Sequence, residues 1–240
     1  MKVSKMKYIV GIDEVGRGPL AGPVCVGGVA ILAREGSSLA RLFRGVKDSK
    51  KLSKQQREYW LETLLKVVAG GKRNSSATNS VDIRCLQNRR YQMSTTATII
   101  TRTVFVSERL IDRNGMGWAL RTAVARVLAK LSLPLNETSI LLDGGLKAPA
   151  NYINQKTIIR GDEKEWLIAL ASIIAKVKRD RFLVRLARKY PEYGFERHKG
   201  YGTKAHYEAI KRYGLCQIHR KSFLKKLQIP NNKFQTISKF

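Results

Sequence analysis

Short apolar segments alternate with longer amphipathic segments along most of the chain. Tyr8-Ile9-Val10-Gly11-Ile12 has the length and β-branched content of a buried strand. The apolar run at residues 24–32 predicts a second strand, which a short loop would pair antiparallel with the first. Further short apolar runs predict strands at residues 103–106, 139–143 and 157–162.

Helical periodicity fills the intervals between these strands. Ser53 and Gln56 have the spacing of a capping box, which predicts a helix from about Lys54. The apolar residues of that segment recur at intervals of three and four until Gly70-Gly71 ends it. Three more helices are predicted, at residues 115–131, 164–190 and 204–213. Because strands alternate with helices, the pattern predicts an α/β fold.

Two parts of the chain differ from this alternation. Residues 72–102 lose clear periodicity and are rich in Ser, Thr, Asn and Arg, so we interpret them as an atypical insert. Residues 191–240 hold a short helix and a basic tail, whose last residues after Pro230 are expected to order only when a partner binds. The expected organisation is a main domain at residues 1–190 and a small helical region at residues 191–240.

The charge of the chain is strongly one-sided. Its 46 Lys and Arg residues outnumber 18 Asp and Glu residues, which leaves a net charge of +28. Half of that excess lies between Lys176 and Phe240, where 18 residues are basic and 4 are acidic. A surface that only keeps the protein in solution would mix both signs, so we favour a polyanionic partner that contacts the basic C-terminal region.

Several classes of protein are disfavoured by the composition. No apolar run reaches the roughly 18 residues of a membrane span, and the N-terminus carries no secretory pattern, so the expected location is the cytoplasm. The three cysteines form no CxxC pair, and the three histidines are dispersed. The sequence therefore predicts neither a zinc site nor a disulfide framework.

Acidic residues follow three of the predicted strands. Asp13 and Glu14 end the first strand, and Asp143 and Asp162 end two later ones. Adjacent strands would bring these carboxylates within a few ångströms, where they repel one another unless cations lie between them. Oxygen ligands without Cys or His favour magnesium or manganese over zinc. Two such ions about 4 Å apart would activate a water and stabilise the leaving oxygen of a phosphodiester, which indicates a nuclease.

A glycine-flanked arginine follows the first acidic pair. Gly16-Arg17-Gly18-Pro19 suits neither a strand nor a helix, so it predicts a tight loop whose backbone N–H groups face a ligand. The guanidinium of Arg17 is suited to a phosphate.

The string from Asp13 to Val24, DEVGRGPLAGPV, closely resembles the signature of the type 2 ribonucleases H, the ribonuclease HII family. Shorter motifs extend the resemblance over most of the chain: DSKKLS at 48–53, IDR at 111–113, LDG at 142–144, GD at 161–162, ASIIAKV at 171–177, GYGT at 200–203 and IHRKSF at 218–223. Each motif is short, but their order and content are jointly specific.

The resemblance implies a ribonuclease H-like fold, with a mixed central sheet flanked by helices and a small C-terminal helical region. It implies that Asp13, Glu14, Asp143 and Asp162 bind the catalytic Mg²⁺ or Mn²⁺ ions. The implied activity is endonucleolytic cleavage of RNA paired to DNA, and of single ribonucleotides embedded in duplex DNA, on the 5′ side of the ribonucleotide. The products would carry 5′-phosphomonoesters, as in ribonucleotide excision repair, and the enzyme is expected to be a monomer.

By similarity, five residues contact the substrate. The glycine-rich backbone of Gly16, Arg17 and Gly18 can approach a 2′-hydroxyl closely enough to hydrogen-bond to it. Tyr201 would stack on the neighbouring deoxynucleotide, and Lys50 would bind a nearby phosphate. Without the resemblance, Tyr201 would be interpreted as a core residue and Lys50 as a solvated lysine.

Other polar residues are interpreted as structural. A histidine on a short helix, as at His206, is more often part of the packing than of a site. Arg179 and Asp180 are interpreted as a charged pair on a helix surface.

The alternative function is that of a noncatalytic basic nucleic-acid-binding protein. The net charge alone would suffice for binding. However, a binder gains nothing from carboxylates placed where phosphate must lie, because each of them opposes binding unless a cation intervenes.

Overall fold

The computed structural model describes residues 6–70 and 98–225, which build a five-stranded mixed sheet. Its strands are β1 (Tyr8–Val15), β2 (Val24–Leu32), β3 (Ile99–Val106), β4 (Thr138–Asp143) and β5 (Gln155–Ile158). Their spatial order is β3-β2-β1-β4-β5, in which β2 pairs antiparallel with both β1 and β3, and β4 pairs parallel with both β1 and β5. The predicted hairpin of β1 and β2 is confirmed, as is the mixed character of the sheet.

Seven α-helices connect and cover the strands in the described part of the chain. They are α1 (Gly36–Leu42), α2 (Lys54–Gly70), α3 (Glu108–Leu131), α4 (Gly161–Lys164), α5 (Trp166–Ala187), α6 (Phe195–His198) and α7 (Lys204–Tyr213). The capping box at α2 is confirmed, because Ser53 N–H donates to Gln56 Oε1 at 2.8 Å and Gln56 N–H to Ser53 Oγ at 3.2 Å. No helix among the described residues is long and apolar enough to cross a membrane.

The sheet lies between two helical layers. Val10 and Ile12 of β1 pack with Val124 of α3 on one face. Val29 of β2 packs with Ile174 of α5 on the other face, where α1 and α2 complete the layer. Successive residues of a strand point to opposite faces, so β1 contributes to both cores.

Helix α5 lies unusually close to the sheet because glycines face it. A Cβ on Gly11 would lie 2.5 Å from the backbone carbon of Leu167, and one on Gly27 would lie 2.4 Å from the carbonyl oxygen of Ala171. Backbone therefore contacts backbone at both points. This close approach brings the N-terminal half of α5 to the carboxyl end of β1.

The described residues beyond 190 pack against the main sheet layers rather than apart from them. Leu20 and Ala21 of the loop after β1 share a buried cluster with Leu183 of α5 and with Phe195. Ala21 also forms an isolated antiparallel bridge with His219. Helix α5 packs both against the sheet and against the C-terminal region, and the proposed domain boundary at residue 190 falls just beyond the end of this helix.

Two predicted boundaries are wrong. Residues 72–97 of the predicted insert, and the tail after Pro230, lie outside the described residues, but Ile99–Arg102 belong to β3 and pair with β2. Thr101 and Arg102 are not buried, so the strand lacks the apolar run that would reveal it. Helix α3 begins at Glu108 rather than at Gly115, because Ser107 caps it and Gly115, with φ of 82°, only kinks it.

Candidate active site

Asp13 lies near the carboxyl end of β1 and faces α5, where it is 3% exposed. The Ser172 side chain of α5 hydrogen-bonds to the Asp13 carboxyl group, and Ser49 Oγ lies 2.8 Å from Ser172 Oγ. The hydrogen bond from Ser172 favours the ionised form of Asp13, so Ser172 donates its one proton to Asp13 and Ser49 donates to Ser172. Two buried hydroxyl groups therefore orient this acid.

Asp143 lies beside Asp13 at the same edge of the sheet. The parallel strands β1 and β4 pair as far as Ile12 and Leu142, and each acid is the next residue of its strand. Asp143 Oδ1 accepts a hydrogen bond from the N–H of Gly161 at 2.6 Å. This contact ties the turn after β5 to the end of β4.

Asp162 directly follows Gly161 in that turn and is 6% exposed. The prediction that a strand delivers it is wrong, because β5 ends at Ile158 and Asp162 lies in the first turn of α4. Arg160 has left-handed backbone angles, with φ of 54°, which end the extended run and start the helix. Asp162 nevertheless lies beside Asp13 and Asp143, as predicted.

The three aspartates form a cluster that can hold a metal ion. One oxygen from each of Asp13, Asp143 and Asp162 lies within 4.8 Å of the other two. In residues 6–70 and 98–225, this is the only group of three acids, histidines or cysteines close enough to share an ion. The ligands are hard oxygen atoms, which suit magnesium, manganese or calcium.

Glu14 lies beside this cluster without joining it. As the next residue on β1, it points away from the face that Asp13 occupies. Its Oε1 accepts from Nη1 of Arg17 at 3.0 Å, whereas its Oε2 is buried and has no hydrogen-bond partner. A buried oxygen without a partner is costly, and a cation would supply one. The structure thus brings three of the four predicted ligands together and leaves the fourth with one open oxygen.

Burial and neighbouring charges raise the pKa of Asp13, Glu14 and Asp162. Burial raises the pKa of Asp13 well above its ordinary value, and the charges of Glu14 and Asp143 add to the effect. Burial also raises the pKa of Glu14, against the opposing influence of Arg17. For Asp162, burial and then the charge of Asp143 raise the pKa to about 6. Carboxylates that repel one another in this way are suited to binding a divalent cation.

Asp162→Asn is therefore expected to stabilise the metal-free protein at pH 8. The ordinary pKa of 3.8 rises to about 6 on folding, so between these values the folded protein retains a proton that the unfolded chain has released. Stability consequently falls as the pH rises through this window, and a neutral Asn avoids that loss. We expect a gain of roughly 1–3 kcal/mol in the free energy of unfolding at pH 8.

Thermal unfolding with a chelator present measures this effect. The gain should disappear below about pH 4, where Asp162 is protonated in both states. Glu163→Gln is the matched control, because Glu163 lies on the same short helix but pairs with Lys51 at 2.9 Å. Equal stabilisation by both variants, or destabilisation by Asp162→Asn at pH 8, would contradict the repulsion.

The loop before α2 adds a buried acid that the sequence did not single out. Asp48 is 6% exposed, it accepts a hydrogen bond from the protonated form of Asp162, and its Oδ1 accepts from the N–H of Lys50 at 2.9 Å. Nζ of Lys50 lies 4.0 Å from Oδ2 of Asp162, with the side chain 75% exposed. Lys50 is therefore at the rim of the cluster, free to contact a ligand there. The signal for Asp48 was its place beside Lys50 in the DSKKLS motif.

The glycine-flanked arginine forms the predicted loop directly after β1. Gly16 is buried with φ of 93°, while Arg17 and Gly18 are exposed. Leu20 N–H donates to the carbonyl of Gly200 at 2.8 Å, which joins this loop to the turn that carries Tyr201.

Tyr201 is 40% exposed, so it is not a core residue. Nζ of Lys176 and Cζ of Arg179 lie 5.8 and 5.9 Å from its ring centroid. Cations at this distance attract the ring. The predicted substrate-contacting residues thus lie on two connected loops and, for Lys50, at the rim of the acidic cluster.

A chain of buried hydrogen bonds fixes the backbone of Tyr201. Cys216 N–H donates to Nδ1 of His219 at 2.9 Å, so the proton of that ring is on Nε2, 3.0 Å from Nε2 of His206. His206 then donates from Nδ1 to the carbonyl oxygen of Tyr201 at 2.8 Å. Burial lowers the pKa of His206 to about 4 and that of His219 to about 3, which keeps both rings neutral. The structural interpretation of His206 is confirmed.

The interpretation of Arg179 as a surface residue is wrong. Arg179 is fully buried, and it donates to the carbonyl oxygens of Pro23, Ala21 and Lys199 at 2.9, 3.2 and 3.1 Å. It shares one face of α5 with Ala175 and Leu183, four residues away on either side, and that spacing was the signal for burial. Asp180 pairs instead with Lys176, at 2.9 Å.

Comparison with known proteins identifies the family. The family model described as Ribonuclease HII matches residues 10–226. A curated ribonuclease HII of Caldicellulosiruptor bescii is 38% identical over 221 residues, which cover 92% of this chain and 88% of the relative.

Solved structures agree on the fold. The ribonuclease H2 of Pyrococcus horikoshii OT3 superposes with a TM-score of 0.60 at 24% identity, covering 90% of this chain and 93% of that one. The ribonuclease HII of Archaeoglobus fulgidus, solved in complex with PCNA, gives a TM-score of 0.61 at 27% identity, covering 89% and 93%. The expected ribonuclease H-like fold is confirmed. Since the family model and the curated relative both extend over most of its length, this chain belongs to the ribonuclease HII family and is a ribonuclease H endonuclease.

Proposed function

We propose that this enzyme cleaves the RNA strand of RNA–DNA hybrids, and single ribonucleotides embedded in duplex DNA, on the 5′ side of the ribonucleotide. The observation that supports it is the meeting of Asp13, Asp143 and Asp162 within 4.8 Å in a chain whose net charge is +28. The basic surface attracts the nucleic acid, whereas the carboxylates of the acidic centre repel a phosphodiester until cations neutralise them. That combination suits hydrolysis better than storage or transport of the strand.

We assign Asp13, Glu14, Asp143 and Asp162 as ligands of Mg²⁺ or Mn²⁺. When bound, such ions lower the pKa of a water and stabilise negative charge on the leaving oxygen, which yields a 5′-phosphomonoester. The chain's own contribution is orientation. Ser172 directs Asp13, the N–H of Gly161 directs Asp143, and the open Oε2 of Glu14 remains available.

Substrate contacts are assigned to Gly16, Arg17, Gly18, Lys50 and Tyr201. The exposed Gly18 lets a sugar approach the backbone, and the half-exposed ring of Tyr201 offers a stacking face. Lys50 supplies a cation at the rim of the acidic cluster. The basic region at residues 191–240 would extend the phosphate contacts along the duplex.

A noncatalytic binding role is the alternative, and the acidic cluster argues against it. Removing charge from these positions would strengthen simple binding, so a binder has no use for them. We further propose that the enzyme acts as a monomer in the cytoplasm.

Two duplexes of one sequence test the proposed selectivity, one all-DNA and one carrying a single ribonucleotide. With Mg²⁺ or Mn²⁺ we expect cleavage of the second duplex alone, at the 5′ side of the ribonucleotide, and no cleavage with a chelator. Equal cutting of both duplexes would refute the selectivity. Cutting that persists with the chelator would refute the metal assignment.

A further inference from the structure

Arg220 reaches the substrate loop from the C-terminal segment. Its side chain is fully buried and donates to three main-chain carbonyl oxygens: Nη2 to Gly16 at 2.7 Å, Nη1 to Arg17 at 2.9 Å and Nε to Gly22 at 2.9 Å. Its own N–H donates to the carbonyl of Leu20 at 2.7 Å. One residue thus binds the loop that follows β1 at four points.

These contacts determine which way the loop's peptide groups face. In a trans peptide the carbonyl of one residue and the N–H of the next point in opposite directions. With the carbonyls of Gly16 and Arg17 turned inward to Arg220, the N–H groups of Arg17 and Gly18 turn outward. Two consecutive donors therefore face the solvent where Gly18 is exposed.

Gly16 can adopt this arrangement only without a side chain. Its φ of 93° lies in the left-handed region, and a Cβ there would lie 2.3 Å from Nε of Arg179. Arg179 thus lies directly under the loop while Arg220 binds its carbonyls. Lysine could not replace Arg220, because the planar guanidinium presents its donors in a fixed fork and an ammonium does not.

We propose that Arg220 is a positioning residue that sets selectivity for ribonucleotides by turning the N–H groups of Arg17 and Gly18 toward the sugar of the substrate. This inference rests on the proposed function, because it assumes that the loop recognises a 2′-hydroxyl. Arg220 itself touches no substrate. It acts through the loop, and its effect should appear in discrimination rather than in overall affinity.

The test compares Arg220→Lys with the wild type. Dissociation constants are measured by fluorescence anisotropy, with a chelator present, for the single-ribonucleotide duplex and for the all-DNA duplex. The preference is the dissociation constant of the all-DNA duplex divided by that of the single-ribonucleotide duplex. We expect this ratio to fall by about tenfold in Arg220→Lys, the equivalent of about one hydrogen bond. Affinity for the all-DNA duplex should stay within about twofold, because the phosphate contacts persist.

Tyr193→Phe is the matched control. The Tyr193 hydroxyl donates to the buried carbonyl of Gly214 at 2.9 Å, so this variant also loses a side-chain bond to a buried carbonyl in the C-terminal core. It should lower the melting temperature without changing the ratio. An unchanged ratio in Arg220→Lys, or equal weakening toward both duplexes, would overturn the proposal. A wild type without any preference would instead overturn the proposed function.

Amide hydrogen exchange of the wild type covers the case in which Arg220→Lys does not fold. The N–H groups of Arg17 and Gly18 should exchange rapidly in the free protein. They should become protected by the single-ribonucleotide duplex and not by the all-DNA duplex. Slow exchange in the free protein, or equal protection by both duplexes, would show that these groups do not face the sugar.

Discussion

Asp143→Asn is expected to slow cleavage of the single-ribonucleotide duplex by about 10³-fold or more, since charge stabilisation by a bound metal contributes several kcal/mol. The substitution is nearly isosteric, and an Asn oxygen can still accept from the N–H of Gly161, which Asp143 binds at 2.6 Å. The turn before Asp162 should therefore keep its shape. Only the negative charge at the centre of the cluster is lost.

Affinity for the duplex should persist or increase in this variant, because one charge opposed to phosphate is removed. The measurements are a single-turnover cleavage rate with Mg²⁺ and a dissociation constant with a chelator. Glu137→Gln is the control, since Glu137 lies just before β4 at its other end and pairs with Lys7 at 3.9 Å across the surface. A cleavage rate that Asp143→Asn leaves unchanged would remove Asp143 from the catalytic centre.

Gly11→Ala is expected to lower the free energy of unfolding by about 1–3 kcal/mol, the usual cost of inserting a methyl group into a packed core. The new Cβ would lie 2.5, 2.6 and 2.8 Å from backbone atoms of Leu167 and Ile168. Backbone cannot move aside as a side chain can, so α5 must shift away from β1. Because α5 carries Ser172, which orients Asp13, cleavage should also slow.

Gly36→Ala is the matched control for this change. Gly36 lies in α1 with helical backbone angles, and a Cβ there would meet Ile31 at 3.9 Å, an ordinary contact. That substitution should be neutral or slightly stabilising. Denaturant unfolding compares the two variants. If Gly11→Ala were as stable as the wild type, the close contact between α5 and β1 would not exist in solution.

The strands and their acids were predictable because each feature is local. A short β-branched run ending in an acid, as at Asp13 and Asp143, indicates a buried strand, whose side chains have a period of two and whose core is lost at its end. The parallel pairing of β1 and β4 then places both acids at one edge. The same period also implies that Asp13 and Glu14 point to opposite faces. The separate position of Glu14 could therefore have been predicted.

The residues that support the site depend on long-range packing and were harder to predict. His206 and His219 are 13 positions apart and meet only because α7 and the turn after it fold back together. Arg220 and Gly16 are separated by 204 positions, yet they hydrogen-bond. No local spacing identifies such pairs. The start of β3 was missed for a different reason, since its first residues alternate too weakly in polarity to predict a strand.

The central claim is that Asp13, Asp143 and Asp162 share a divalent cation. Anomalous diffraction from crystals soaked in Mn²⁺ tests it most directly, because the ion is located independently of the protein atoms. We expect a peak bonded to one oxygen from each of the three aspartates. Well-ordered crystals with bound Mn²⁺ elsewhere and no peak among these aspartates would contradict the account.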